Sequence, residues 1–549
     1  MRHHNQVPRN STALSYRKKI RQNFSQDSIV FPLFGYCGGF QSGTRLGSHA
    51  NEGSLETFYV QPAILPPNII SKTDTFIATD IFLTKTRKEY CNKAVFSNLI
   101  QDAREFREEG VELNIKGKKV RVYFVLCLIL WDNLALNSIF EFVASFNLTH
   151  FCRICYCGGD AILFLTKEDA SLLRTVEKYE EDIFLEKSYT ETGVRGLCAF
   201  NEMEDFHIIP NSSVDVMHDM FEGICHYVMA QILVLLVNLK GRFSIDLLNY
   251  RMRTWNFGFE SSNILPQINY EYVRKNLHLK MSSSEMLFFV RYFAVLVVDL
   301  VPLESAAWRL YLRLRELVHL LTSPTMTESK LARLDVVITE HHELYVSLFG
   351  HLTAKFHYLL HYIRIIRSTG PVIKTSSIRF EAFDQFIKRC IEYSNCHVNI
   401  LKTIGIRLQL KFMSLKAMEY ESVFKSCGKD KKGTLANSLF FDSQSKREIH
   451  SVTLNGITYA EKVVIVVDFS PDGIIFGVAQ NVFEVDEKII SQYKALQPCG
   501  FREEYAAHTV VEEQACDECL IAYDYLASPM VCLLFEINNE KFVVTRHAL

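Results

Sequence analysis

The spacing of hydrophobic positions changes along the chain, and each change predicts a different kind of element. Between residues 28 and 83, three short apolar stretches are separated by Gly- and Pro-bearing connections, and they read SIVFPLFGY, LETFYVQ and DTFIATDIFL. This pattern is typical of β-strands. Residues 94–109 have helical spacing, and residues 119–131 form a continuous apolar run of the kind buried in the middle of a mixed sheet. That run ends at Asp132, and a short helix is predicted to follow it, to residue 146.

The middle of the chain has the period of helices, and its end has the period of strands. Leucine-rich amphipathic segments occur at 168–186, 214–240, 284–301, 304–321 and 327–349, and helical signals return at 378–416. Residues 446–549 alternate apolar and polar positions between Asn-Gly, Pro-Asp-Gly and Asn-Asn turns, which predicts a small β-barrel-like domain. The predicted divisions are a basic N-terminal arm at 1–27, the first part of an α/β core at 28–149, an all-α insertion at 150–370, the remainder of the core at 371–424, a polar linker at 425–445 and the β-rich domain at 446–549.

Composition restricts the classes of protein to which this chain can belong. With 549 residues, 48% hydrophobic and 22% charged, it is globular and long enough for about two to four domains. The formal net charge of −2 excludes a chain that is basic throughout, so nucleic-acid contact must come from local patches. The 15 cysteines have no regular spacing, which indicates reduced intracellular thiols and one metal site. The longest uncharged apolar run, Tyr227 to Leu239, is too short to span a bilayer, so no membrane contact is predicted.

The N-terminal residues are basic and carry no acids as far as residue 26. This composition superficially suits a transit peptide. Because the segment lacks a clear amphipathic stripe, we favour a disordered basic arm.

A CxxC and an HxxxH together supply the ligands of a metal site. Cys152 and Cys155 lie in the sequence FCRIC. His357 and His361 lie four residues apart in an apolar run that can form a helix, so both rings project from one face. Two thiolates and two imidazoles are the ligand set of a closed tetrahedral zinc site. Because the pairs are about 200 residues apart, a structural zinc ion would join the two ends of the insertion.

The alternative is a set of separate buried thiols and histidines, since no HExxH glutamate lies between the histidines. Cys157 is a conceivable substitute ligand. The second CxxC, at Cys516 and Cys519, has no histidine pair assigned to it and is predicted to be structural.

Several stretches, taken together, resemble one family of DNA transposases. They are RLGSHA at 45–50, WDNLALNSIFEFVASF at 131–146, FCRIC at 151–155, VDVMHDMFEG at 214–223, KFHYLLHY at 355–362, GP at 370–371 and RFE at 379–381. The chain resembles the DDE transposases of CACTA (En/Spm) elements and their animal relatives, and more distantly the catalytic subunit of the V(D)J recombinase. The resemblance covers roughly residues 28–415. It implies a ribonuclease-H-like core interrupted by a large all-α insertion, and a nuclear location. DNA and a second copy of the chain are the expected partners.

The resemblance also implies a site of three acids, because strand cleavage and joining is an in-line displacement at phosphorus assisted by two metal ions. Residue by residue, Asp132 matches the second acid and Glu381 the third, with Arg379 two residues before it. Asp215 and His218 match a supporting motif in the insertion. Structural alternatives stay open for these acids, because Asp132 and Asp215 could cap helices and Glu381 could favour a helix N-terminus.

The first acid is missing from this site. Where the family reads Asp-Asp-Phe-Glu shortly before Leu-Gly-Ser-His, this chain has Gly38 and Gly39, followed by Phe and Gln. Losing one of three charged ligands weakens metal binding and transition-state stabilisation. We therefore predict a transposon-derived protein that is catalytically inactive. Mg²⁺ would be a cofactor only if the chain were active. One alternative is an active transposase in which Asp27 or Glu52 stands in for the lost acid. A third hypothesis is a protein-interaction scaffold.

A basic stretch is the candidate for DNA contact. Between Lys402 and Lys432, basic residues outnumber acids eight to three. A solvated helix face is the usual explanation for such a run, but on a transposase scaffold it could also follow a DNA backbone with salt-dependent affinity. The candidate DNA-binding residues are Lys402, Arg407, Lys411 and Lys416.

Overall fold

A computed structural model describes residues 23–25, 28–41, 54–65, 73–239, 243–260, 265–393, 399–417, 425–426, 446–454, 456–485, 488–512 and 519–549. Most of the predicted arm and linker, the RLGSHA motif, Asp27 and Glu52 lie outside these ranges. The described residues form a mixed α/β protein with a helical region in the middle and a β-sheet region at the C-terminal end. This coarse part of the fold prediction is confirmed.

The chain divides into two compact units, and each unit combines segments that are distant in sequence. The first unit contains Met1–Ile224 and Pro324–Glu419, and the second contains Cys225–Ser323 and Tyr420–Leu549. The predicted insertion at 150–370 is therefore divided between the units, and its middle part shares a unit with the C-terminal strands.

The first unit contains a five-stranded sheet. Its strands are β1 Ile29–Gln41, β2 Ser54–Pro62, β3 Ile77–Leu83, β4 Val111–Ile115 and β5 Lys118–Leu130. Their order is β3-β2-β1-β5-β4, in which β1 pairs antiparallel to β2 and parallel to β5. The predicted strands correspond to β1, β2, β3 and β5, whose apolar residues enter the core.

Strand β4 was not predicted from the sequence. It forms a hairpin with β5 through Lys116 and Gly117, both of which have positive φ, as the tight turns of hairpins require. Most of its residues are exposed, so it has no alternation of buried and solvated positions to identify it.

The helices of the first unit come from both ends of the predicted insertion and from the core. The earlier ones are α1 Thr84–Val95, α2 Ser97–Glu108, α3 Asn133–Ile139, α4 Val176–Phe184 and α5 Tyr189–Thr192, followed by a π-helical segment, Met217–Ile224. The numbering continues in the second unit with α6 Cys225–Asn238, α7 Ile245–Thr254, α8 Tyr270–Asn276, α9 Ser283–Val297 and α10 Ala306–Leu321. The first unit resumes with α11 Glu328–Phe349, α12 Ala354–Leu360, α13 Tyr362–Thr369, α14 Ile378–Glu392 and α15 Ile400–Ala417.

An aromatic layer fixes α14 against the sheet. The Phe380 ring stacks on Tyr36 of β1 with 4.4 Å between centroids, and it lies 4.6 Å from Phe76. One turn later, Phe383 packs edge-on against Tyr59 of β2 at 5.1 Å. Burying one large apolar side chain contributes about 1.5–3 kcal/mol, so these contacts suffice to hold α14 over the middle of the sheet.

The second unit joins helices to a closed ring of strands. Its strands are β6 Lys425–Ser426, β7 Lys446–Ile449, β8 Ser451–Leu454, β9 Ile457–Ala460, β10 Val464–Ser470, β11 Gly473–Val485, β12 Lys488–Arg502, β13 Ala507–Glu512, β14 Cys519–Ala522, β15 Ser528–Ile537 and β16 Glu540–Val544. The order β12-β13-β16-β15-β10-β11 closes because β11 also pairs with β12. The C-terminal tail is bound by the helices, since Arg315 donates to the Thr545 carbonyl at 3.0 Å and Ser323 donates to that of Ala548 at 2.8 Å.

One described helical stretch, Met217–Asn238, is long and apolar enough to cross a membrane, with a mean hydropathy of 1.8. Its most apolar window is 67% buried inside the protein, which is typical of a core helix. Length and composition are therefore weak evidence for a membrane span here.

Candidate metal centre and carboxylate site

The predicted thiol pair and imidazole pair come together in the first unit. The ligand atoms of Cys152, Cys155, His357 and His361 all lie within 4.8 Å of one another, and all four residues are buried. The Cys152 Sγ to His361 Nε2 distance is 3.5 Å, the Cys155 Sγ to His357 Nε2 distance is 3.3 Å, and the two Nε2 atoms are 3.4 Å apart. We call these four residues the Cys2His2 cluster.

These distances fit a tetrahedral metal site. An ion bonded to nitrogen at about 2.0–2.1 Å and to sulfur at about 2.3 Å places its nitrogens about 3.4 Å apart and each sulfur about 3.5 Å from each nitrogen. Three of the six edges of the cluster therefore match such a tetrahedron. The cluster could bind a metal ion.

Neighbouring groups orient the ligands. The Nδ1 atom of His361 donates to Oε1 of Glu168 at 2.6 Å, and Arg364 donates to the same carboxylate at 2.9 Å. This is the carboxylate–histidine arrangement that fixes the ring orientation of a metal ligand. The backbone N–H of Ile154 donates to Cys152 Sγ at 3.3 Å. Within the described residues, Nδ1 of His357 has no such partner, so Glu168 is the main outer support.

The electrostatics of the cluster favour a thiolate. Burial opposes ionisation of Cys152, but the hydrogen bond from Cys155 and the adjacent His361 ring outweigh it and hold the pKa of Cys152 well below its usual value. The same hydrogen bond, together with burial, raises the pKa of Cys155. Burial also opposes the charge of Glu168, yet hydrogen bonds from His361 and Arg364 lower its pKa to about 2. Cys152 therefore ionises more readily than Cys155, and the carboxylate beside the cluster favours its charged form.

The other cysteines considered in the sequence are not part of the cluster. Cys157 is buried but does not belong to the group of four ligand residues. Cys519 is half-buried at the start of β14, and Cys516 lies outside the described residues.

Asp132 occupies the end of β5, next to the predicted position of the missing acid. Tyr36 of β1 is aligned with Leu130 of the parallel strand β5, and Gly38 and Asp132 are each two residues further along, so Asp132 follows the end of β5 while Gly38 still lies within β1. Oδ1 of Asp132 accepts hydrogen bonds from the backbone of Leu134 at 2.9 Å and of Ala135 at 3.0 Å. It therefore caps α3, as the structural alternative for this residue predicted.

Asp215, His218 and Glu381 form a hydrogen-bonded chain. Nδ1 of His218 contacts Oδ2 of Asp215 at 2.5 Å, and its Nε2 contacts Oε1 of Glu381 at 3.1 Å. Ser377, just before α14, donates its backbone N–H to Oδ1 of Asp215 at 3.0 Å and its hydroxyl to Oδ2. The segment that carries Asp215 and His218 is thereby connected to the helix that carries Glu381. Arg379 is exposed on that helix.

The surroundings of His218 favour its protonated form. Burial favours its neutral form, but the hydrogen bonds to Asp215 and Glu381 outweigh burial and raise the pKa of His218 to about 11. Burial opposes the charge of Asp215, but the hydrogen bond and charge of His218 and the hydrogen bonds from Ser377 outweigh it and lower the pKa of Asp215. The carboxylate of Glu381, whose side chain is 40% exposed, is thus paired with an imidazolium.

A further acid, Asp384, lies close to Gly38. A Cβ atom built on Gly38 would be 2.7 Å from Oδ2 of Asp384 and 3.0 Å from the Tyr36 ring. Oδ1 of Asp384 accepts a hydrogen bond from the hydroxyl of Tyr59 at 2.6 Å, and Thr57 contacts that hydroxyl at 2.5 Å. Burial raises the pKa of Asp384 to about 7.

Sequence reasoning did not select Asp384, although one signal was present. Asp384 is three residues after Glu381, so the two acids share a helix face. Burial raises the pKa of Tyr36 well above its usual value, and the charges of Asp384 and Glu381 raise it further.

The candidate DNA-binding residues on α15 differ in their surroundings. Lys402 is exposed and Arg407 is half-buried. Lys411 pairs with Asp74 at 3.3 Å, and its Nζ lies 4.6 Å from the centre of the Phe383 ring. The side chain of Lys416 lies outside the described part of the helix. The same helix exposes the apolar residues Ile406, Leu410, Phe412 and Met413.

Comparisons with known proteins add no identification. No protein-family model matches this sequence, and no curated protein matches it.

Proposed function

We propose that this chain is a transposon-derived protein with a DDE-transposase-like, ribonuclease-H-like core, a structural zinc ion and no strand-transfer activity. It acts as a DNA-binding protein of the nucleus. The observation that carries the proposal is the place where β5 ends beside β1: Gly38 and Asp132 each follow the last aligned pair of these strands by two residues, and α14 brings the Asp384 carboxylate close to Gly38.

The topology of the first unit supports this proposal. Three antiparallel strands followed by a buried strand parallel to β1 form the arrangement expected of a ribonuclease-H-like sheet. The helical region begins directly after β5, and the chain returns to the sheet with α14. Both features agree with a core that an insertion interrupts.

The chemistry of the Cys2His2 cluster supports zinc as its metal. Two sulfurs and two imidazole nitrogens in a tetrahedral arrangement suit Zn²⁺, which tolerates this soft ligand set and has no preference for another geometry. All four ligands are protein side chains, so no position is left open for water or substrate. The ion would stabilise the fold by joining the segments that begin and end the insertion.

The carboxylate site supports the absence of strand transfer. In-line phosphoryl chemistry requires carboxylates that are free to hold divalent cations. Here the first-strand position is a glycine, Glu381 is paired with the His218 imidazolium, and Asp132 caps α3. Each of these features reduces the negative charge available to a metal pair.

Zinc is tested by the metal content of the purified chain. We expect one zinc per chain, lost in Cys152→Ala and in His361→Ala and retained in the control Cys157→Ala, which removes a nearby thiol outside the cluster. One zinc per chain that survives both cluster substitutions would contradict this site.

DNA binding is tested with duplex DNA at increasing salt concentration. A backbone contact predicts that log K falls linearly with log salt and that Lys402→Glu with Arg407→Glu weakens binding, whereas Lys88→Glu on α1, also in the first unit, does not. The absence of salt-dependent binding would favour the interaction scaffold instead, for which Ile406, Leu410 and Met413 offer an exposed apolar stripe.

An active metal-dependent DNA transposase is the second candidate, and Asp384 is the observation that favours it. Its carboxylate lies where the side chain of a β1 acid would stand, so α14 could supply the negative charge that β1 lacks. A cleavage and strand-transfer assay with Mg²⁺ or Mn²⁺ distinguishes the candidates. Turnover that is abolished by Asp384→Asn would support the active enzyme, and no turnover in the unmodified chain would support the inactive one.

A further inference from the structure

Arg153, between the two cysteines of the cluster, is a buried cation. Only 2% of its surface is exposed. Its Nη1 donates to Oδ1 of Asn133 at 2.7 Å, its Nη2 donates to the carbonyl of Ser213, and its guanidinium lies 5.2 Å from the centre of the Tyr358 ring. Burying a charge without compensation is costly, so a guanidinium in this position indicates a structural requirement for these contacts.

The contacts of Arg153 lead from the metal ligands to the carboxylate site. Asn133 follows Asp132, and Ser213 precedes Asp215 by two residues. The Nδ2 atom of Asn133 donates to Oδ1 of Asp219 at 2.6 Å. Asp219 is the neighbour of His218 in the π-helical segment and is fully buried.

The histidine half of the cluster reaches the same segment from the other side. The hydroxyl of Tyr362, the residue after His361, donates to Oδ2 of Asp219 at 2.9 Å. The Nζ atom of Lys355, two residues before His357, donates to the backbone carbonyl of His218 at 2.6 Å. Oδ1 of Asp219 is thus bound by Asn133, which Arg153 of the cysteine segment contacts, and Oδ2 is bound by Tyr362 of the histidine segment.

We propose that Arg153, Asn133, Asp219 and Tyr362 form a latch through which metal binding at the Cys2His2 cluster positions the carboxylate site. This inference rests on the metal centre proposed above. An ion that holds Cys152 and Cys155 against His357 and His361 fixes Arg153 and Tyr362 on opposite sides of the Asn133–Asp219 pair. Asp132 and His218, each the immediate chain neighbour of a latch residue, are thereby held at their positions. Arg153 is a positioning residue and touches no reacting group.

Hydrogen exchange of the full chain, measured by mass spectrometry with zinc bound and after chelation, tests the latch. Loss of zinc should accelerate exchange in residues 131–140 and 213–224, on the order of ten- to a hundredfold, as expected for losing a buried hydrogen bond to a charged group. Strand β2 should exchange at an unchanged rate. Restoring zinc should restore the original rates.

Variants separate the latch from general stability. Arg153→Met should keep one zinc per chain, accelerate exchange in the same two segments, and reduce their response to chelation, because the cysteine side of the connection is already broken while Tyr362 still connects the histidine side. Arg153→Lys should restore part of the protection. If Arg153→Met does not fold, Asn133→Ala breaks the same connection one step further from the metal ligands.

The outcomes are distinguishable. A chain that binds no zinc contradicts the metal centre and the latch together. A zinc-loaded chain whose two segments exchange at the same rate after chelation contradicts the latch alone. Equal and additive effects of chelation and of Arg153→Met would also contradict it.

Discussion

Gly38 and Asp384 compete for one volume, so substitutions at the two positions should be coupled. Replacing Gly38 by Ala adds a Cβ atom 2.7 Å from Oδ2 of Asp384 and 3.0 Å from the Tyr36 ring. Both distances are below ordinary van der Waals contact. The Asp384 carboxylate is held by the hydroxyl of Tyr59 and by α14, so it cannot move aside without losing that hydrogen bond.

The magnitude follows from two opposing terms. Overpacking a buried site costs about 1–3 kcal/mol, whereas exchanging glycine for alanine in a strand gains roughly 0.5–1 kcal/mol. We therefore expect Gly38→Ala to lower the free energy of unfolding by about 1–2 kcal/mol. In the Asp384→Ala background the closest obstruction is gone and only the 3.0 Å approach to the Tyr36 ring remains, so the same change should cost clearly less.

A double-mutant cycle in urea, followed by circular dichroism, measures this coupling. Gly39→Ala is the matched control, because its Cβ would approach Trp131 at 3.3 Å and not Asp384. A cost of Gly38→Ala that is the same with and without Asp384 would refute the reasoning. The cycle also predicts that Gly38→Asp, which adds a larger side chain in the same place, is accepted only when Asp384 is made smaller.

Three further predictions concern charge and metal support. Glu168→Gln removes the carboxylate that orients His361 and should weaken zinc affinity about 10–100-fold in a competition titration with a chelating dye, whereas Glu328→Gln, at an exposed pair, should not. Burial raises the pKa of Asp384 to about 7, above its unfolded value of about 3.9. Its contribution to stability is therefore present below pH 4 and is lost as the pH rises through 7, by at most on the order of 4 kcal/mol. Between pH 4 and 7, the urea midpoint of Asp384→Asn should fall less than that of the unmodified chain. The pKa of His218, raised to about 11, predicts that its ion pairs stabilise fully below about pH 6.5 and are lost as the pH rises through 11, so the midpoint difference between the unmodified chain and His218→Gln should shrink between pH 7 and 10.5.

Short sequence patterns were sufficient to predict an element where one residue type or one hydrophobic period distinguishes it. The continuous apolar run before Asp132 indicated a buried central strand because both faces of β5 are covered over its second half. The same reasoning missed α1, because its sequence is mostly polar and charged and forms no apolar stripe, and because the helix is interrupted at Cys91, where φ is positive.

The sequence by itself predicted four of the five strands of the first sheet and the residues of the two ligand pairs, and it places a glycine at position 38. These features depend on residue type and short spacing, which a chain carries whether or not it is folded. Only the tertiary structure decided that residues about 200 positions apart meet as the Cys2His2 cluster. The separation of two residues along the sequence does not determine the distance between them in a folded chain. It also decided that Asp384 fills the space above Gly38, because that proximity depends on how α14 packs its aromatic side chains against the sheet.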